Sequence, residues 1–123
     1  MLSDRGLRAA IEMLAARAPL PVEIAAVPDE RLPEPVEAAV YYLIAEALTN
    51  VAKYARASAV RVRVVASQGV VVVEVSDDGV GGADASAGSG LRGLTDRVEA
   101  LGGSLTIVST AGTGTSLCAE IPT

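Results

Sequence analysis

The chain has no histidine, no phenylalanine and no tryptophan, and a single cysteine among its 123 residues. Each absence removes a class of chemistry. Without histidine, no side chain here can carry a phosphohistidine. One cysteine excludes an internal disulfide, and one cysteine without histidine excludes a zinc cluster. Three tyrosines are the only aromatic rings, so the core has to be aliphatic. Clustered Lys and Arg are missing and the net charge is -5. Nucleic acid is therefore a poor partner, since it needs counter-charge and usually stacking rings. The apolar runs are too short or too interrupted by charge to span a bilayer. Met1-Leu2-Ser3-Asp4-Arg5 lacks the apolar centre of a signal peptide. The expectation is a cytoplasmic location with no direct membrane contact.

Half of the residues are hydrophobic. A chain of this length is one domain, residues 1–123, able to bury a real core. Cys118 lies in a strand-like run and is expected to behave as a small buried hydrophobe.

Leu7, Ala10, Ile11 and Leu14 recur at helical spacing, and Pro19 and Pro21 end that helix. Val22 to Val27 reads as a strand. A longer helix is expected from Glu34 to Ala55, with Pro35 in its first turn. Val36, Val40, Leu43, Ala47, Leu48 and Val51 make it apolar over much of its circumference, which predicts core packing. Residues 58–67 and 71–76 alternate around Gln68-Gly69 and read as a hairpin. Leu91, Leu94, Val98 and Leu101 describe a third helix stopped by Gly102-Gly103. Residues 104–109 and 115–121 read as two closing strands. The predicted class is α+β: a two-layer α/β sandwich with a mixed, mainly antiparallel sheet covered on one face by three helices.

Several residues stand out chemically. Glu46, Asn50 and Lys53 share one face of the long helix. Carboxylate and carboxamide oxygens are hard ligands suited to Mg2+ that bridges phosphates, although a polar stripe at a helix edge is a plainer reading. Asp77 continues the parity of Val71, Val73 and Val75, so it should point inward where its strand ends. Such a carboxylate is a directional acceptor, for example for the exocyclic amine of a base. Gly79 and Gly81 then allow close approach to a flat ring, and Asp-Asp-Gly is equally good turn chemistry. Thr115 shares parity with Leu117, Ala119 and Ile121 and should face the same pocket, or serve only as a good strand former. Gly88, Gly90, Leu91 and Gly93 open the third helix, where free N–H groups attract phosphate. They are neither a Walker loop nor a dinucleotide fingerprint.

Taken in order, these segments resemble the ATP-binding catalytic domain of sensor histidine kinases, in the GHKL superfamily shared with gyrase and MutL. Glu46-Ala47-Leu48-Thr49-Asn50-Val51-Ala52-Lys53-Tyr54-Ala55 is similar to the N box. Asp77-Asp78-Gly79-Val80-Gly81-Gly82, Gly88 to Gly93, and Gly112-Thr113-Gly114-Thr115 are similar to the three glycine boxes. The resemblance covers essentially the whole chain. Asp4-Arg5-Gly6-Leu7 and Gly90-Leu91-Arg92-Gly93-Leu94 look like the branch that signals to LuxR/NarL-type response regulators.

The resemblance implies roles. Asn50 would bind the Mg2+ that bridges the ATP phosphates, and Glu46 would stand as general base. Lys53 would touch phosphate. Asp77 would accept from the adenine amine, with Gly79 and Gly81 beside the ring and Thr115 supporting through a water. Gly90 to Gly93 would border the phosphates, behind a lid from Gly82 to Ser89 that includes Gly88. The position after Lys53 is commonly His in the family and here is Tyr54, which cannot carry protons at neutral pH. The phosphoacceptor histidine would sit on a separate dimeric helical domain upstream. The chain would then be an excised ATP-binding domain, monomeric alone and unable to phosphorylate itself. Two alternatives share the pocket: an anti-sigma factor serine kinase, and a module that binds nucleotide without catalysis.

Overall fold

A computed structural model describes residues 2–18, 20–28, 31–50, 59–78, 89–110 and 114–123. Its elements in chain order are α1 (Leu2–Arg17), β1 (Val22–Ala26), α2 (Glu34–Asn50), β2 (Val60–Ser67), β3 (Val70–Asp77), α3 (Ser89–Ala100), β4 (Ser104–Thr110) and β5 (Gly114–Pro122). The strands form one sheet in the order β1-β2-β3-β5-β4. Among the described residues the β1–β2 pair alone is parallel; the other three pairs are antiparallel. The expected α+β sandwich with a mixed, mainly antiparallel sheet is thus the observed one.

Alternation decides which face of the sheet is covered. Val60, Val62 and Val64 on β2, Val71, Val73 and Val75 on β3, and Leu117, Ala119 and Ile121 on β5 are all buried. The helices close over them with Leu7 and Ile11, with Val36, Val40, Leu43, Ile44 and Leu48, and with Leu94 and Val98. Fully burying one such aliphatic side chain contributes about 1.5–3 kcal/mol. This replaces the aromatic core that the composition forbids. The opposite face carries cross-strand ion pairs, Arg63–Glu74 at 2.7 Å and Arg61–Glu23 at 3.7 Å. Both are exposed, so each contributes little to stability.

Local chemistry sets the element ends. Gln68 (φ 53°) and Gly69 (φ 78°) form a two-residue turn whose left-handed backbone matches the twist of the β2–β3 hairpin. After α3, Gly102 takes φ 81°. Its N–H reaches Glu99 O at 3.0 Å, and the N–H of Gly103 reaches Val98 O at 2.9 Å. That double closure is a Schellman cap.

Three expectations need adjustment. The first helix starts at Leu2 and bends at Gly6, which has non-helical φ 80°, ψ -178°. The long helix is described to Asn50, and the expected continuation to Ala55 lies outside the described residues. Cys118 is only half-buried. It shares parity with Ser116 and Glu120, so it belongs to the open face of the sheet and not to the core. Burial still pushes its thiol up from the ordinary range, with Glu74 and Glu120 adding to the rise.

Candidate functional site at one edge of the sheet

Topology gathers the singled-out residues. Val60 at the start of β2 pairs with Asp77 at the end of β3. Thr110 at the end of β4 pairs with Gly114 at the start of β5. The β3–β5 register runs to Ser76↔Ser116, and its next step sets Asp77 opposite Thr115. All these strand ends therefore share one edge of the sheet.

Two crossovers bring helix ends to the same edge. Because β1 and β2 are parallel, the chain must return through α2 to begin β2 where β1 began. At about 1.5 Å per residue the 17 residues of α2 span about 25 Å, close to the length of the eight-residue strand β2. The last turns of α2, with Glu46 and Asn50, thus approach this edge. The strands β3 and β4 also run in one direction, since each is antiparallel to β5. Between them α3 starts near the Asp77 edge and runs back, so Ser89, Gly90, Leu91 and Gly93 lie in the turns that face it.

The placements can be stated residue by residue. Asp77 is half-buried on the inward parity of its strand, between Val60 and Thr115. Thr115 is half-buried on the inward parity of β5. Glu46 is half-buried on α2, and Asn50 is that helix's last residue. Gly90, Leu91 and Gly93 fall in the first turns of α3, with Leu94 buried below them. Lys53, Gly79, Gly81 and Gly88 lie outside the described residues, as does the segment expected to form a lid.

Two residues at this edge were quoted within motifs by the sequence reading but given no role of their own. Asp78 accepts a hydrogen bond from the Ala59 N–H at 3.1 Å. Gly114 is buried against the Asp77–Asp78 backbone at φ 103°. Gly114 lies within a glycine-rich motif, so its type was visible; its neighbour was not.

A third overlooked residue is structural. Glu37 is 2% exposed. It accepts from Arg31 Nη2 at 3.0 Å, Arg31 Nε at 3.2 Å and the Leu32 N–H at 3.1 Å. The hydrogen bonds from Arg31 hold its carboxyl below the usual range; burial opposes them and the Leu32 N–H assists. Glu37 lies near the start of α2, at the opposite end from Asn50, so it belongs to the frame and not to the site. The signal was available: position 37 falls on the stripe of Val40, Ile44 and Leu48.

Residues 36–123 match the family described as histidine kinase-, DNA gyrase B-, and HSP90-like ATPase. The chain belongs to that family.

The relatives of this ATPase domain agree. It is 36% identical over 97 residues to the oxygen sensor histidine kinase NreB of Staphylococcus carnosus, a match covering 76% of the chain and 28% of NreB. It superimposes on the Erythrobacter litoralis blue-light activated histidine kinase with TM-score 0.75 and 29% identity, over 94% of the domain and 39% of that chain. A structure of full-length ShkA in complex with AMPPNP matches with TM-score 0.69 and 26% identity, over 94% of the domain and 29% of that chain. The domain thus spans under a third of NreB's length. Among the described residues no helix is long and apolar enough to cross a membrane.

Proposed function

We propose that this domain binds ATP with Mg2+ and donates the γ-phosphoryl group to a histidine on a separate helical domain of its parent protein. That partner would in turn serve a LuxR/NarL-type response regulator, on the cytoplasmic side of the membrane. One observation carries the reading: an inward carboxylate, Asp77, ends a central strand at the edge where α2 finishes and α3 begins. The ATPase family and the sensor-kinase relatives support it. The chain has no histidine, so in this reading the acceptor lies on another domain.

The residues divide the task. Asp77 accepts from the exocyclic amine of adenine, and Thr115 beside it supports through a water. Gly79 and Gly81 leave room for the ring. Gly88, Gly90, Leu91 and Gly93 border the phosphates, and Lys53 offsets their charge. Among the described residues no cluster of three or more metal-ligating acidic or thiol groups exists. Asn50 would hold the Mg2+, its carboxamide oxygen being a hard ligand of the kind that ion takes. Mg2+ bound there supplies charge neutralisation for phosphoryl transfer. In the transfer the bond from the γ-phosphorus to the ADP oxygen breaks and a bond to the imidazole nitrogen forms. The attacking nitrogen uses its lone pair, and Glu46, as general base, would take the proton that leaves the ring's other nitrogen.

Calorimetry tests the first half. ATP should bind the 123-residue chain in a Mg2+-dependent way, and Asn50→Ala should weaken Mg2+-ATP at least about tenfold while sparing metal-free nucleotide. Equal loss with and without metal would assign Asn50 a structural role. Adding a matched histidine-bearing helical domain tests the second half, and no phosphorylation of any such partner would count against kinase activity.

A further inference from the structure

The peptide that joins Asp77 to Asp78 is held from two sides. On one side stands Gly114, the first residue of β5, with φ 103°. A Cβ built on it would fall onto the Asp77 carbonyl oxygen, 3.0 Å from Asp77 C and 3.2 Å from Asp78 Cα. These obstacles are backbone atoms, so no side chain can swing aside to admit a methyl group. On the other side Asp78 Oδ1 accepts from the Ala59 N–H at 3.1 Å. Ala59 precedes Val60, which pairs directly with Asp77. Asp78 itself follows the last residue of β3 and is exposed, with its carboxylate turned to the Ala59 N–H.

Both contacts act on the backbone that carries the Asp77 carboxylate. We propose that Gly114 and Asp78 are positioning residues: they fix the depth and angle at which Asp77 meets the adenine amine, and so set base preference without touching the base. The inference rests on the reading of Asp77 given above. Its physical basis is the steep dependence of a hydrogen bond on distance and angle. A methyl group on Gly114 has to push the Asp77 carbonyl away, and that displacement is large on the scale that separates a good bond from none.

The test compares ATP with purine riboside triphosphate, which has the same ring and phosphates but no exocyclic amine. Wild type should prefer ATP by at least about tenfold, and Asp77→Ala should show no preference. Gly114→Ala and Asp78→Ala should also lose the preference while binding purine riboside triphosphate within about threefold of wild type. Asp78→Asn, which keeps an acceptor oxygen for Ala59, should restore it. Circular dichroism checks folding, and the Asp78 pair decides the matter if Gly114→Ala does not fold. A folded Gly114→Ala or Asp78→Ala that retains the full preference overturns the inference. So does equal weakening of both nucleotides, which marks a purely structural role. A wild type with no preference overturns the inference together with the reading of Asp77 beneath it.

Discussion

Asp77 and Glu37 are both carboxylates on secondary structure, yet their surroundings differ. Asp77 is half-buried at the end of β3. Glu37 is enclosed and answered by Arg31 and the Leu32 N–H. Because its folded carboxyl titrates below the ordinary 4.5, the stability it contributes is fully present above that value. It is lost as pH falls through the depressed folded value. Glu37→Gln should therefore cost about 1 kcal/mol at neutral pH, a figure kept low because Arg31 is half exposed. It should also flatten the acid limb of a stability–pH curve measured by urea unfolding. An unchanged acid limb would mean that the pair contributes nothing. Strand parity made Asp77 and Thr115 legible from sequence. Cys118 was expected to be buried on the apolar character of its thiol, but the alternation that turns Leu117 and Ala119 inward turns Cys118 outward, and that character does not override the pleat. Glu37 was passed over because a charged residue is read as solvated unless its partner is known. Arg31 lies in a Pro-bounded loop whose path no local pattern fixes.

At the scale of elements, hydrophobic periodicity located all three helices and all five strands among the described residues. Their pairing was less visible. The hairpins β2–β3 and β4–β5 are joined by short connections and could be read directly. The parallel β1–β2 pair and the β3–β5 pair join segments distant in sequence, and no local rule names such neighbours. The kink at Gly6 was equally hidden, since the helical spacing was read only from Leu7 onward. The α3–β4 junction shows how tightly these elements meet. A Cβ on Gly103 would fall onto the Glu120 carbonyl oxygen and lie 3.0 Å from Val98 Cγ1. Gly103→Ala should destabilise the fold by about 1–3 kcal/mol, read as a lowered midpoint in thermal unfolding. It should leave nucleotide selectivity unchanged, because this junction is at the far edge from Asp77. A midpoint equal to wild type would show that β4 can shift to admit the methyl group.

For the whole molecule, function follows from direction. The strands β1, β2 and β5 leave one edge of the sheet, and β3 and β4 arrive there. The two helical crossovers return to it or depart from it. The opposite edge holds the β2–β3 turn, the α3 cap and the chain end, where the Thr123 N–H binds Gly69 O at 2.8 Å. One edge is closed by backbone hydrogen bonds; the other gathers a carboxylate, a carboxamide-bearing helix end and a glycine-rich helix start. Backbone amide shifts measured by NMR during titration with Mg2+-ATP discriminate between the two edges most directly. The account predicts that the large shifts cluster at residues 46–50, 59–60, 77–78, 89–94 and 114–115, with residues 67–70, 102–104 and 121–123 unmoved. Shifts centred on that second group, or spread evenly over both, would contradict it.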